Sequence, residues 1–240
     1  MEMRWSMAEF PFLKCLDMMI AIRYVNLRTS SWKSWMETAC MKGKMPSLRN
    51  KSTAYTKKPE EFDKEINRIA CPCFGYPGQP EFQGEDWYMV FRRMLEAGIN
   101  DARNGNVDLK IPVDELLRYL ERDKDFFAEV TEPRLVHWDL WDGNIFVSDG
   151  MITGLIDWER SIWGDPLLEV GFRTHSDNPF FRNGYGIKEF TKSQERRSLW
   201  YDIYLFVLVS LECEYRKYET MDMYQLATYM LTTLWGKLRC

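Results

Sequence analysis

Histidine is scarce in this chain, with two among 240 residues. Neither stands near the Cys-Pro-Cys at Cys71–Cys73, and no second cysteine pair follows it, so a four-ligand zinc site is not assembled there. The six cysteines, at positions 15, 40, 71, 73, 213 and 240, are scattered. That pattern predicts reduced, structural thiols and a cytoplasmic location. Clustered Lys and Arg are also missing and the net charge is −4, which argues against a nucleic-acid partner. Long apolar runs are lacking too. "MMIAI", the longest near the start, is far short of the roughly 20 residues that a membrane span needs. The opening "MEMRWSMAEF" lacks the charged-then-apolar order of a signal peptide. No repeats or low-complexity tracts occur. What remains is a chain with 45 % hydrophobic, 28 % charged and 15 % aromatic residues, predicted to be soluble, to have no membrane partner and to be able to bury a core rich in flat rings.

Two regions separate along the chain. Residues 1–59 have no clean period and are rich in Lys and Ser, with one candidate strand in "MMIAIRYV". Residues 60–240 read as helices around one small β-hairpin. "PEEFDKEINRIA" opens with Pro and acids, as a first helical turn does. In "EDWYMVFRRMLEAGINDARN", Trp87, Val90, Phe91, Met94, Leu95 and Ile99 recur at three- and four-residue spacing, and Gly105 follows as a stop. "PVDELLRYLERDKDFFAEV" repeats the pattern, and "RRSLWYDIYLFVLVSLECEYRKY" and "DMYQLATYMLTTLWGKL" predict two more helices, the first largely buried.

The densest stretch is "LVHWDLWDGNIFVSDGMITGLIDWER", residues 135–160, with five acidic residues, three Trp and one His. Within it two β-rich runs flank Asp149-Gly150, a two-residue hairpin turn signal. That turn predicts Ser148 opposite Met151, Phe146 opposite Thr153 and Asn144 opposite Leu155. The period of two then sends Asn144 and Asp157 to the same face, about 7 Å apart along the strand. Both are hard oxygen donors suited to Mg²⁺. Asp139, five residues before Asn144, is placed to accept a proton from an attacking hydroxyl.

The order His137-Trp138-Asp139, Asn144, Asp157 has the H-x-D-x-x-x-x-N…D spacing of kinase catalytic segments. A protein kinase would read H-R-D, D-F-G and A-P-E. Here Trp138 stands for Arg, "IDWE" for D-F-G, and no A-P-E follows. Instead "VHWDLWDGNIFV…GLIDWERSIWGDPLLEVGF", with "FGYPG" at 74–78, resembles the aminoglycoside phosphotransferase-like family, which includes choline-kinase-like enzymes. The resemblance implies an α+β fold: a protein-kinase-like C-lobe over 60–240, mainly helical with a small catalytic β-hairpin, its N-lobe missing or degenerate within 1–59. It implies transfer of the γ-phosphate of ATP (or GTP) to a hydroxyl of a small, cationic or polyhydroxylated molecule, with Asp139 as base and Asn144 and Asp157 holding Mg²⁺ and nucleotide. It also implies that Asp165, an N-cap before Pro166, anchors the catalytic loop.

Other residues carry two readings. His137 is expected to bond backbone near Asp157, and His175 to be a loop residue. Asp142 faces either substrate or solvent. Trp138, Trp141, Trp158 and Trp163 either pack the core or form an aromatic wall for a cation. Glu212 continues the buried stripe of Leu205, Leu208 and Val209, so it either pairs with an Arg such as Arg160 or Arg173, or joins Glu214 and Asp142 in an acidic acceptor pocket. Neither G-x-G-x-x-G nor G-x-x-x-x-G-K-[ST] occurs, and "IAIR" at 20–23 has Arg where the V-A-I-K strand has Lys. This lack predicts low turnover from the chain by itself. It keeps open the alternative of a non-catalytic, kinase-like remnant, either a pseudoenzyme or a binding module.

Overall fold

The computed structural model describes residues 59–148, 151–175, 178–216 and 219–240. The candidate strand in 18–25, the "IAIR" segment and the Asp149-Gly150 turn lie outside them. Six α-helices appear among the described residues: α1 (Pro59–Ile66), α2 (Trp87–Asn104), α3 (Val113–Arg122), α4 (Pro179–Tyr185), α5 (Lys192–Tyr215) and α6 (Asp222–Arg239). Four short strands accompany them: β1 (Arg134–Val136), β2 (Ile145–Ser148), β3 (Met151–Leu155) and β4 (Ile162–Gly164).

Each long helix follows from its pattern. In α2 the Asp86 carboxylate accepts from Met89 N at 2.8 Å, satisfying one of the orphan amides of the first turn. The face predicted from spacing, Trp87 through Ile99, is buried. Helix α5 starts with a Thr191–Gln194 capping box. From Arg197 to Cys213 it is buried nearly all round, as expected for the central helix of a core. Helix α6 lies against α5 through Ala227, Leu231, Leu234, Trp235 and Leu238. Aromatic rings fill the space between α2, α5 and the turn after α3: Phe91 stacks on Phe127 at 5.4 Å and meets Tyr201 edge-on at 5.3 Å.

Charged groups inside this core are paired. Arg197 donates to Asp165 (2.7 Å), to Glu129 (2.9 Å) and to the Phe126 carbonyl (2.7 Å). Tyr201 donates to the same Asp165 oxygen at 2.8 Å and accepts from the Trp87 indole at 2.8 Å. Burial, and then the charge of Asp165, hold the Tyr201 hydroxyl well above its usual range. Asp123 likewise receives Arg196 at 2.5 Å and Trp200 at 3.0 Å, and Arg196 reaches the Leu238 carbonyl at 2.7 Å. These bonds tie α3, α5 and α6 together.

The strands form two antiparallel pairs, β1–β4 and β2–β3, one nested inside the other in sequence. The outer pair, Arg134↔Gly164 to Val136↔Ile162, closes the ends of a segment whose middle is the hairpin. The two connections, 137–144 and 156–161, are thereby held between the pairs. Sequence reading expects one hairpin only. Strands of three residues are too short to show a period, and so β1–β4 escapes it. The short helix α4, which contains Asn183 and Gly184, escapes it for the same lack of pattern.

The hairpin register also departs from expectation. Ser148 faces Met151 and Val147 faces Ile152, but Phe146 faces Gly154 and Ile145 faces Leu155. Thr153 is an extra residue in a β-bulge, and its hydroxyl donates to the Phe146 carbonyl at 3.3 Å. Asn144 is therefore not opposite Leu155. It lies in a 3₁₀ turn, Asp142–Asn144, before the strand begins.

The Gly75 loop is pinned to β4 by Gly75 N→Trp163 O (2.8 Å) and Trp163 N→Gly75 O (3.0 Å). Gly75 has φ 113°, and a Cβ there would stand 1.9 Å from the Phe82 carbonyl oxygen, so only glycine fits. Among the described residues no disulfide occurs, and Cys73, Cys213 and Cys240 are free thiols. No helix among them is long and apolar enough to cross a membrane.

Candidate active site

The connection after β1 descends from buried Val136 through His137 and Trp138 to Asp139, which is half-buried. Trp138 holds a left-handed backbone, φ 67°, a conformation that costs about 1–3 kcal/mol in a non-glycine residue. Three things over-determine it. Its amide donates to Glu169 Oε2 at 2.8 Å, its carbonyl accepts from Arg173 Nη2 at 3.1 Å, and its ring stacks on Tyr204 at 5.4 Å and 12°.

Glu169 is the main anchor. Its other oxygen accepts from Leu140 N at 2.8 Å and Val170 N at 2.9 Å, and the side chain is fully buried. The loop anchor that the family resemblance assigns to Asp165 is thus supplied by Glu169. Asp165 caps the turn at Leu167 N (3.2 Å) and holds Arg197 and Tyr201 instead. Two acids four residues apart in "GDPLLE" cannot be distinguished from sequence. The choice depends on which one the turn at 166–168 aims at the loop.

Beside Glu169 lies a second buried carboxyl, Asp63 on α1. Asp63 Oδ2 has no hydrogen-bond partner, and Oδ1 receives only Asn67 Nδ2, at 3.4 Å. Burial first, and then the charge of Glu169, push its carboxyl well above the ordinary value of 3.8, against the Asn67 bond. The folded chain therefore keeps a proton that the unfolded chain has lost. Stability is greatest below the ordinary value and falls as pH rises toward the raised one, by about 1.4 kcal/mol per pH unit across that window. Asp63→Asn is expected to remove this slope and to be more stable than the parent at neutral and alkaline pH. Urea melts of both proteins across a pH series check it; parallel curves would count against a protonated Asp63.

Arg173 is buried among Asp202, Glu169 and Asp139. Burial lowers its affinity for the proton and those three carboxylates oppose the effect. His137 closes the other side. Its Nε2 lies 2.9 Å from the Ile156 carbonyl, and Asp139 N donates to its Nδ1 at 3.3 Å. With Nδ1 accepting, Nε2 donates to the Ile156 carbonyl. Trp158 covers the imidazole at 4.4 Å. The second histidine, His175, faces Asp202 at 3.4 Å and meets Phe206 edge-on.

Asn144 is buried, and its amide donates to the Asp139 carbonyl at 2.8 Å and to Asp139 Oδ2 at 3.3 Å. Its Oδ1 accepts no hydrogen bond among the described residues. Ile156 N donates to the Asn144 carbonyl at 3.1 Å, so the chain reaches Asp157 one residue after touching Asn144. Asp157 is exposed and left-handed, φ 63°. The two residues come near each other through this backbone bond and not through strand parity, which the bulge at Thr153 and the turn at Asp157 both break.

The remaining candidates separate. Trp138 and Trp163 are core residues at 1 % exposure. Trp158 is half-buried, and Trp141 is 56 % exposed with its ring packed flat over Gly143. Asp142 is exposed beside it. Glu212 accepts from Arg160 at 2.5 Å, with Arg216 at 3.9 Å. Glu214 borders a shallow cavity shared with Asp101, Asn104, Gly105, Val107, Leu211 and Tyr215, none of them in the catalytic loop. Among the described residues no group of three or more His, Cys, Asp or Glu side chains is placed to hold a metal. A divalent cation here would draw on Asn144 Oδ1 and the Asp157 carboxylate. Hard oxygen donors in small number suit Mg²⁺, which completes its shell with phosphate and water.

Comparison with known proteins agrees with this arrangement at the level of family and fold. The model of the phosphotransferase enzyme family matches residues 75–195, just over half of the 240, and the chain belongs to that family. A protein assigned as fructosamine-3-kinase from Haemophilus somnus 129PT superposes with a TM-score of 0.58 at 15 % identity, over 80 % of this chain and 66 % of that one. The gentamicin complex of APH(2")-IIa aligns with a TM-score of 0.47 at 18 % identity, over 75 % and 62 %. This chain therefore spans just under two thirds of each structure's length. The first likeness establishes a kinase-like α+β fold. No curated protein sequence matches the chain.

Proposed function

We propose that this protein transfers the γ-phosphate of a nucleoside triphosphate, ATP or GTP, to a hydroxyl of a small cationic or polyhydroxylated molecule. The observation that carries this reading is the Asp139–Asn144 pair. A half-buried carboxylate is held on a loop anchored by Glu169, Arg173 and His137, and it is bonded at 3.3 Å by an amide whose oxygen accepts no hydrogen bond among the described residues. Asp139 accepts the proton of the attacking hydroxyl. Asn144 and Asp157 are the residues that would hold Mg²⁺, which when bound neutralises charge on the phosphates. The other residues of the loop supply rigidity, so that Asp139 needs no rearrangement as the hydroxyl arrives.

For the acceptor side, Trp141 and Asp142 are the groups left open. Glu212 is engaged by arginines and Glu214 lies on the separate cavity. A flat ring beside carboxylates suits an amine or a sugar face. Trp141→Ala is expected to raise the acceptor KM about 5–30-fold, the effect of losing roughly 1–2 kcal/mol of ring contact, with little change in nucleotide affinity. Equal KM values in the two proteins would remove Trp141 from the acceptor site.

A second reading, a kinase-like binding module without turnover, is favoured by the lack of a glycine-rich phosphate loop in the sequence. One experiment separates the two. The chain is incubated with Mg²⁺ and γ-labelled ATP or GTP and a panel of amino sugars, amino alcohols and glycated amines. Mg²⁺-dependent label on an acceptor supports transfer. Nucleotide binding with no labelled product leaves the binding module, and no nucleotide binding refutes both.

A further inference from the structure

We propose that the cavity between α4, the turn at 171–174, the start of α5 and the end of α6 is a binding site for a phosphate monoester. Its volume is about 310 Å³, at the lower end of the range for small-molecule sites, about 300–1,000 Å³. Arg173, Arg182 and Lys237 bring three positive charges to its lining and Glu195 one negative charge. Phe172, Phe190 and Leu199 supply its apolar wall. No residue of 137–144 or 156–161 lines it, so it is separate from the Asp139–Asn144 pair.

The side chain that calls for a ligand is Arg173. It is 8 % exposed, and a guanidinium carries five N–H donors in a fixed fork. Among the described residues it makes one hydrogen bond, from Nη2 to the Trp138 carbonyl at 3.1 Å. Its Nε is buried with no partner. Asp202, Glu169 and Asp139 act on it through charge without a hydrogen bond, and burial still lowers its hold on the proton. A buried cation with open donors is unfavourable. An anion against this guanidinium supplies both acceptors and charge. Charge and shape then choose the class of anion. The lining has two positive charges in excess, which matches the charge of about −1.5 to −2 on a phosphate monoester at neutral pH. A carboxylate brings one. Arginine forks engage two phosphate oxygens at once. Arg182 lies over the Phe190 ring at 5.2 Å, which sets a guanidinium beside the apolar wall that would take the organic part of the ester. Lys237 is exposed, a flexible point charge for a remaining oxygen.

Calorimetric titration of the full chain, without Mg²⁺ or nucleotide, tests the site with phenyl phosphate, inorganic phosphate and benzoate as probes. The readout is binding alone, so it succeeds or fails independently of phosphoryl transfer. Phenyl phosphate is expected to bind about tenfold more tightly than benzoate, for its extra charge and its paired oxygens. It is also expected to bind more tightly than inorganic phosphate, which has no ring to set against the apolar wall. Lys237→Glu is expected to weaken phenyl phosphate about tenfold and Glu195→Gln to tighten it about threefold, because one adds and the other removes a negative charge at the lining. Both residues are exposed, so circular dichroism is expected to show the same fold in parent and variants. No binding of phenyl phosphate, or equal affinity for benzoate, would overturn the proposal. So would a Kd that either substitution leaves unmoved, since the anion would then sit elsewhere on the chain.

Discussion

Asp139→Asn is expected to lower the proposed phosphoryl transfer by about two to four orders of magnitude, the usual contribution of a positioned acid–base group, with nucleotide affinity kept within about twofold. The substitution is nearly isosteric, and Asn144 still finds the Asp139 backbone carbonyl at 2.8 Å. The loop keeps its Glu169 and Arg173 bonds, which involve residues 138 and 140 and not the Asp139 side chain. What disappears is the acceptor for the hydroxyl proton, needed only while the hydroxyl attacks. The split between lost turnover and kept binding is therefore the diagnostic result. Single-turnover transfer and equilibrium nucleotide titration on the two proteins measure it. Undiminished transfer in the variant would refute Asp139 as base, and parallel loss of binding would point to a collapsed loop.

The largest stability effect is expected at Asp165. Asp165→Ala strips the buried Arg197 guanidinium and the Tyr201 hydroxyl of a shared acceptor. Removing one partner of a buried pair costs about 3–5 kcal/mol, a large share of the roughly 5–15 kcal/mol that holds a domain folded. The companion change separates pair energy from uncompensated charge. In Asp165→Leu/Arg197→Met both charges leave together, and much of the loss is recovered, since well-packed apolar replacements of a buried pair are often neutral. Arg197 also serves Glu129 and the Phe126 carbonyl, so recovery falls short of complete. Urea unfolding of parent, single and double variants gives the comparison. A single variant as stable as the parent would show that the pair contributes nothing.

The helices and the order of the candidate site residues were open to reading because their information is local. A buried face on α2 or α6 requires apolar residues every three or four positions, and that requirement is visible without knowing what lies opposite. Asp139, Asn144 and Asp157 lie within nineteen residues of chain, and their order is carried by the loop itself. Family membership likewise resides in the continuous stretch 75–195.

The tertiary structure decided whatever depends on partners distant in sequence. Glu169 reaches back 31 and 29 residues to the amides of Trp138 and Leu140, and nothing in "GDPLLE" tells that acid from Asp165. Glu212 meets Arg160 across 52 residues, one of several arginines that could have served. The bulge at Thr153 moves the hairpin register by one residue, a change invisible to a period-of-two count because it alters pairing and not composition. Exposure divides four tryptophans of similar sequence context into two core rings, Trp138 and Trp163, the half-buried Trp158 and one open ring, Trp141. Sequence alone determined which chemistry-bearing residues are present and in what order. The fold decided which of them are held, which are covered, and which remain free to meet another molecule, because burial and pairing are set by the surfaces that pack together.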